Sequence, residues 1–300
     1  MRTVVHLADL HFGRVEHSII EPLTAAVREI GPDVLAVAGD LTQRARSRQF
    51  REARAFLDAL PAPRKIVVPG NHDVPLYNVF ARFFSPLEKY RRHITDDLAP
   101  FYEDEEIAVL GINTARSLTT KYGRVSERQI EHVRERLCRY PEEVTKIVVT
   151  HHPFDLPEGH DEREIVGSAR AAIEALAACG VDILLAGHLH VSHTTHTAVR
   201  YKTPGHSALV VQAGTATSTR GRGESNSFNV IRVKHPHVQI ERRVWQPEGA
   251  SFRAANAETF RHTPEGWSRL SDEVAAGIAF DEEGTGLQPD IKPDGELEVG

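Results

Sequence analysis

The sequence predicts an α/β sandwich built around packed sheet. Two observations carry that reading. Short β-branched or apolar runs alternate with helical patterns through the first half of the chain, and from about His193 strand candidates follow one another without helices between them. Thr3 to Ala8 is the first strand. After a polar loop, Ser18-x-x-Glu21 is a candidate capping box, Ile19, Leu23, Val27 and Ile30 form an apolar stripe, and Gly31-Pro32 supplies the stop. Val34 to Ala38 is a buried strand ending at Gly39-Asp40. Phe50 to Leu60 is amphipathic and helical, and Lys65 to Val68 is a strand ending at Pro69-Gly-Asn-His-Asp73. Val79 to Tyr90 is expected as one helix with Phe80, Phe83, Phe84 and Leu87 on a core-facing side. Ile107 to Ile112 reads as another strand.

Ser126-x-x-Gln129 opens a helix carrying Ile130, Val133 and Leu137, and Ile147 to Val149 leads as a strand into His151-His152. Ser168 to Cys179 is helical up to Gly180, and Val181 to Ala186 is a strand that stops at Gly187-His-Leu-His190. The later candidates, Thr195 to Tyr201, Ala208 to Gln212, Phe228 to Val233 and Val238 to Trp245, are expected to form antiparallel hairpins closing a second sheet. No repeat at a fixed period is present. A main domain over residues 1–270 and an acidic, irregular tail over 271–300 follow from the composition change near Ser271, beyond which Lys292 is the only base among many acids.

The bulk numbers exclude several classes. At 300 residues with 40% hydrophobic content the chain can bury a sizeable core, and a net charge of -6 with mixed signs provides no basic stripe for duplex nucleic acid. Cys138 and Cys179, far apart and without CxxC spacing, read as buried free thiols. No apolar run reaches the roughly 18 residues a membrane span needs, and the amino terminus is not a signal peptide, so the expected setting is the cytoplasm.

Position separates the informative histidines from the rest of the 17. Asp9-Leu-His11, Gly39-Asp40, Gly70-Asn-His-Asp73, His151-His152 and Gly187-His-Leu-His190 each follow a predicted strand, where ligands bind in α/β sheets. Converged on one rim, they suit two small transition metals better than a structural zinc, which needs four ligands and usually thiolates. Two ions about 4 Å apart clamp a phosphate and acidify a shared water to hydroxide.

In this order, D-x-H, G-D, G-N-H-D, H and G-H-x-H resemble the calcineurin-like metallophosphoesterase family over Asp9 to His190. The resemblance implies a four-layer α/β/β/α sandwich of two mixed sheets flanked by helices. It also implies that Asp9, His11 and His190 hold one metal, Asn71, His151 and His188 the other, and that Asp40 bridges them. His72 would then be the general acid at the leaving ester oxygen. The expected cofactors are two divalent or mixed-valence ions, Mn²⁺, Fe²⁺/Fe³⁺ or Zn²⁺. Asp73 either orients His72 or caps its own loop. His152 reads as a neighbour of His151, His193, His196 and His206 as cleft or surface residues, and His6 as structural. Arg220 and Arg222, in a Gly- and Ser-rich loop, read as solvated cations with phosphate contact as the other reading.

Gly-Asn-His-Asp and the absence of Gly-Asp-x-x-Asp-Arg-Gly after Asp40 are unlike the protein serine/threonine phosphatases. Length, Asp9-Leu-His11 and Gly39-Asp-Leu-Thr42 are similar to bacterial class III cyclic-nucleotide phosphodiesterases. The expected partner is a small-molecule phosphodiester, with substrate-binding residues unassigned and a homodimer left open. Relatives also cleave phospholipid head groups and the pyrophosphate of UDP-diacylglucosamine, and Tyr77 to Tyr90 would suit peripheral lipid contact if its aromatic side faced outward. Some relatives are non-catalytic adaptors, a role that would not require the complete ligand set seen here.

Overall fold

A computed structural model describes residues 1–201, 206–220, 223–264 and 266–280; Arg222 and the greater part of the expected acidic tail lie outside the described residues. In chain order the elements are β1 (Arg2–Leu7), α1 (His17–Ile30), β2 (Val34–Ala38), α2 (Ser47–Ala59), β3 (Arg64–Val68), α3 (Val79–Phe84), α4 (Glu88–His93), β4 (Phe101–Glu103), β5 (Ile107–Gly111), α5 (Glu127–Leu137) and β6 (Thr145–Val149). They continue with α6 (Ala169–Ala178), β7 (Ile183–Ala186), β8 (His193–His196), α7 (Thr197–Tyr201), β9 (Leu209–Gln212), β10 (Ser227–Lys234), β11 (His237–Gln246), β12 (Ser251–Thr263), β13 (Gly266–Arg269) and α8 (Asp272–Ala275).

Two mixed sheets result, ordered β13-β12-β11-β10-β1-β2-β3 and β4-β5-β6-β7-β9-β8. Alternate residues of each strand face opposite sides. Val4, Ala36, Val68, Val109, Val149 and Leu185 therefore meet in the layer between the sheets. The other faces bury Val5, Leu35 and Val67 against α1 and α2, and Leu110, Val148 and Leu184 against α5 and α6. This is the four-layer α/β/β/α arrangement. Because β1, β2 and β3 run parallel, as do β5, β6, β7 and β9, the helices between them return the chain to one edge and leave the strands' carboxyl ends together.

Several local expectations need correction. The strands after Ser227 extend the first sheet, because β10 pairs antiparallel with β1 over Arg2↔Val233 to His6↔Asn229. Thr195 to Tyr201 is not one strand: β8 ends at His196 and α7 turns Arg200 and Tyr201 toward Asp155 and the Phe154 carbonyl. The first helix is capped by Glu16, whose carboxylate accepts from the Ser18 N–H at 3.3 Å and Ser18 Oγ at 2.7 Å, and not by Ser18 with Glu21. Ser126 and Gln129 do form the expected capping box. Val79 to Tyr90 breaks at Ser85-Pro86, which removes the single apolar face; Leu87 and Tyr90 are buried, while Phe80 and Phe84 are 78% and 81% exposed.

Cys138 and Cys179 are not free thiols but a disulfide joining the carboxyl ends of α5 and α6. Both helices run back along the same face of parallel strands and so lie parallel to one another, which brings their carboxyl ends together in a way sequence spacing did not reveal. Near the start of the expected tail, Ser271 precedes the short α8, and Phe280 is buried.

Candidate metal centre

Three loops meet first at the carboxyl ends of β1, β2 and β3. The Asp9 N–H donates to the Gly39 carbonyl at 3.2 Å and the His11 N–H to the Asp40 carbonyl at 2.9 Å. The His72 N–H donates to Asp40 Oδ1 at 2.8 Å. The second sheet joins through Gly187, whose N–H donates to the His151 carbonyl at 3.1 Å, and through the His188 N–H, which donates to Asp9 Oδ2 at 2.8 Å. All of Asp9, His11, Asp40, Asn71, His72, His151, His188 and His190 are thereby drawn to one rim.

The backbone is strained where the side chains converge. Asp9, His11, Asp40, His188 and His190 have φ values of 56, 50, 53, 77 and 60°, in the left-handed region that non-glycine residues avoid. Each such residue costs on the order of 1–3 kcal/mol, which persists only where surrounding structure enforces it. Two glycines make the close approach possible: a Cβ on Gly70 would lie 2.2 Å from Asp40 Oδ1, and one on Gly39 would lie 2.7 Å from His151 Nδ1.

The side chains fall into two groups with Asp40 between them. In one, Asp9 Oδ1 lies 3.3 Å from His190 Nε2 and 3.6 Å from His11 Nε2, the two imidazole atoms are 3.3 Å apart, and Asp40 Oδ2 is 3.7 Å from His11 Nε2. In the other, Asn71 Oδ1 lies 3.0 Å from His151 Nε2 and 3.1 Å from His188 Nδ1, these nitrogens are 3.3 Å apart, and Asp40 Oδ1 is 3.4 Å from His151 Nε2. Metal–ligand distances of about 2.0–2.2 Å place neighbouring ligand atoms roughly 3.0–3.5 Å apart, so both groups have coordination-sized edges.

The outer hydrogen bonds of His151, Asn71 and His190 set which atoms face inward. His151 Nδ1 donates to the Ala38 carbonyl at 2.8 Å, which leaves Nε2 with a lone pair in the neutral ring. Asn71 Nδ2 donates to the Thr120 carbonyl at 3.2 Å, which turns its Oδ1 inward. Two acceptors therefore point at each other. His190 Nδ1 donates to the Arg220 carbonyl at 3.2 Å and also presents a bare Nε2. Asp9 Oδ1 is buried with no hydrogen-bond partner among the described residues. A cation bound among these converging oxygen and nitrogen atoms would relieve the repulsion of their lone pairs.

Charge states agree for most of the set; at His151 burial lowers the imidazole, but Asp40 and Asp9 more than offset it and hold it above its ordinary value. Burial pushes the Asp9 and Asp40 carboxyls up, but surrounding imidazoles, His190 and His11 for Asp9 and His151 for Asp40, more than offset it and hold both below the usual carboxylate range. Burial keeps His11 below its ordinary value, and burial together with His152 and His151 holds His188 well below. Ionised carboxylates and neutral imidazoles are the forms that bind metal.

The remaining candidates sort by their partners. His152 lies near His151 and His188 and groups with them by distance, but its Nε2 donates to the Lys121 carbonyl at 2.9 Å and its Nδ1 meets Thr114 Oγ1 at 2.8 Å. With both nitrogens engaged, it supports the site without facing it. Asp73 accepts from the N–H groups of Gly70, Leu41 and Thr42 at 2.9, 3.1 and 2.9 Å and has no contact with the His72 ring among the described bonds, which favours the loop-capping reading. Burial and nearby Asp40 push its carboxyl up to about 7. His6 is buried in the sheet, where burial lowers it to about 3. His193 lines a cleft with Asp155 and Arg200, and His206 one with Lys146 and Asp182.

Arg220 is the residue that sequence reasoning undervalued. Its Nη1 donates to His72 Nε2 at 2.9 Å, while His72 Nδ1 donates to the Gln43 carbonyl at 3.0 Å. The Gly- and Ser-rich composition around it signalled a loop but not its direction.

The comparisons agree with this geometry. A family profile described as Calcineurin-like phosphoesterase matches residues 2–192. The fold is similar to that of a dimetal phosphatase from Danio rerio, with a TM-score of 0.60, 16% identity, and coverage of 84% of this chain and 98% of that one. It is also similar to the purple acid phosphatase PPD1 from yellow lupin (Lupinus luteus) seeds, with a TM-score of 0.65 and 12% identity, covering 86% of this chain but only 53% of that one. No curated protein sequence matches. Members of the matched family use a dinuclear metal centre, and the clustered side chains at the strand ends supply candidate ligands for one. The profile spans most of the chain and all of the converging loops, and the chain belongs to the calcineurin-like phosphoesterase family.

Proposed function

We propose that the protein is a dinuclear-metal phosphodiesterase acting on a small phosphodiester such as a cyclic nucleotide. The observation that carries the metal centre is the convergence of acceptors: His151 Nε2 faces Asn71 Oδ1 at 3.0 Å, and Asp9 Oδ1 faces His190 Nε2 at 3.3 Å. Asp9, His11 and His190 would hold one cation, Asn71, His151 and His188 the other, with Asp40 offering one oxygen to each. The mixed imidazole and carboxylate set suits Mn²⁺, Fe or Zn²⁺. Such ions, held by these residues, would supply Lewis-acid activation of the phosphate and of the attacking water.

The chain's own residues do the rest. Carbonyls of Ala38 and Arg220 fix the tautomers of His151 and His190, and Thr120 fixes the Asn71 amide. Asp40 holds the His72 backbone, and the Gln43 carbonyl orients the ring, whose Nε2 meets the Arg220 guanidinium. From there His72 protonates the departing ester oxygen. The preference for a diester rests on the sequence blocks Asp9-Leu-His11 and Gly39-Asp-Leu-Thr42. Mn²⁺-loaded protein assayed against bis(p-nitrophenyl) phosphate, p-nitrophenyl phosphate, 3′,5′- and 2′,3′-cyclic nucleotides tests it. Turnover of the monoester alone would reject the diesterase.

One observation favours a second reading, an amphiphilic phosphoester such as a phospholipid head group handled at a membrane surface. Tyr77, Phe80, Phe84 and Leu118 are 75%, 78%, 81% and 84% exposed, and beside Phe84 a cleft of about 520 Å³ is lined by Val74, Leu87, Leu98 and Ala115. No helix among the described residues is long and apolar enough to cross a membrane, so such contact would be peripheral. Hydrolysis of phosphatidylcholine vesicles in preference to soluble diesters would select this reading. A non-catalytic adaptor has no use for the aligned His72, and metal analysis showing less than about one ion per chain after Mn²⁺ loading, in protein inert toward every ester, would select that instead.

A further inference from the structure

The loop that carries Arg220 is fastened to the loop that carries Asp9 and His11. Thr215 Oγ1 donates to the Asp9 carbonyl and Thr217 Oγ1 to the Leu10 carbonyl, both at 2.7 Å. The Thr219 N–H and Ser218 Oγ donate to the Arg14 carbonyl at 3.1 and 3.2 Å, and the Glu16 N–H donates to the Thr217 carbonyl at 2.8 Å. Arg220 is thus placed by a rigid frame. Its carbonyl accepts from His190 Nδ1, and its guanidinium reaches His72 Nε2 at 2.9 Å. One residue holds the tautomer of a ligand candidate with its main chain and touches the proposed acid with its side chain.

That side-chain contact is incompatible with the chemical step as it stands. The Gln43 carbonyl can only accept, so His72 carries a proton on Nδ1, and Nε2 accepts from Arg220. An accepting Nε2 has no proton to present to a leaving oxygen. The guanidinium must let go before His72 can act, and the incoming phosphate offers it better acceptors. Arg is permanently charged, and its planar fork matches two phosphoryl oxygens.

We propose that Arg220 anchors the substrate phosphate and positions His72. On substrate binding its guanidinium exchanges from His72 Nε2 to the non-bridging oxygens of the diester, which seats the phosphorus over the ligand groups and bares Nε2 toward the leaving oxygen. Arg220 transfers no proton; the bared Nε2 takes one up from solvent water, and that proton passes to the leaving oxygen. The proposal rests on the phosphodiesterase reading for its substrate, but the binding of phosphate itself can be measured apart from turnover.

The test uses full-length wild type, Arg220→Ala and Arg220→Lys. Calorimetric titration of inorganic phosphate into the Mn²⁺-loaded proteins should show binding weakened roughly ten- to a hundredfold in Arg220→Ala, the loss expected for a charge-assisted hydrogen bond, with KM for bis(p-nitrophenyl) phosphate raised in step. Arg220→Lys should recover part of the affinity, and bound metal should be unchanged in both. In metal-free protein the ¹⁵N resonance of His72 Nε2 should shift in Arg220→Ala. Phosphate affinity equal to wild type, or a loss that only tracks lost metal, overturns the proposal. A wild type that binds phosphate through Arg220 yet leaves every diester intact would support the anchor and refute the phosphodiesterase.

Discussion

Asp40 and His72 are joined by the hydrogen bond from the His72 N–H to Asp40 Oδ1, at 2.8 Å. The carboxylate between the two ligand groups therefore also sets the backbone of the residue at the leaving-group side. Asp40→Ala should remove the shared ligand and loosen the Gly70 to Asp73 turn together. Metal analysis should fall from two ions per chain toward one or none. Diester hydrolysis should fall more than about a hundredfold, since loss of an outer-shell partner alone costs ten- to a hundredfold. Two retained ions in the variant would remove Asp40 from the bridging role.

His72→Ala should behave differently, because the ring makes no contact that requires a metal. Its bonds run to the Gln43 carbonyl and to Arg220. The expected result is unchanged metal content with a rate loss of about 10²–10⁴, largest for substrates with poor leaving groups, which need protonation most. A leaving-group series of aryl diesters measures this. An emptied metal site in this variant would contradict the assignment.

The site was legible in the sequence to the extent that its residues follow strands. Asp9, Asp40, Asn71, His151 and His188 each sit where a parallel strand ends, and helical returns leave few places for them but a common edge. The fold layers were legible for the same reason, since alternating apolar runs mark faces. What sequence could not show depends on partners distant in the chain. Cys138 meets Cys179 only because two helices pack side by side, Phe80 and Phe84 turn outward only because Ser85-Pro86 breaks their helix, and Arg220 reaches His72 only because its loop is tied to Arg14 and Leu10. Spacing carries no record of those contacts.

The Cys138–Cys179 pair predicts a redox-sensitive stability without a redox-sensitive active site. It closes a sequence separation of 41 residues at the carboxyl ends of α5 and α6. These lie at the sheet end opposite the candidate metal site, because the helices run counter to the strands they follow. Reduction, or the double substitution to Ser, should lower unfolding free energy by about 2–4 kcal/mol and leave diester turnover at room temperature near wild type. Urea unfolding with and without dithiothreitol measures it.

Asp182 predicts the pH dependence of folding. It lies at the foot of β7, where Oδ2 accepts from the Lys146 N–H at 2.8 Å and Oδ1 from Trp267 Nε1 at 3.0 Å. Burial outweighs these bonds and raises its carboxyl to about 6. An unfolded chain gives up the same proton near pH ~3.9. Between those values the folded state binds more protons, so the Asp182 contribution to stability should fall as pH rises from about 4 through 6 and then level off, while Asp73, raised to about 7, adds a decline of the same sign. At about 1.4 kcal/mol per pH unit the decline is at most about 3 kcal/mol. Asp9 and Asp40, whose carboxyls are held low, contribute the opposite slope at more acid pH. The contribution of Asp182 is therefore read as the difference between wild type and Asp182→Asn in urea unfolding from pH 4 to 7. Asn also turns an N–H₂ toward one of the two donors, which lowers stability throughout, so the slopes and not the absolute values decide. Parallel curves would mean that the Asp182 carboxylate is ionised across the whole range.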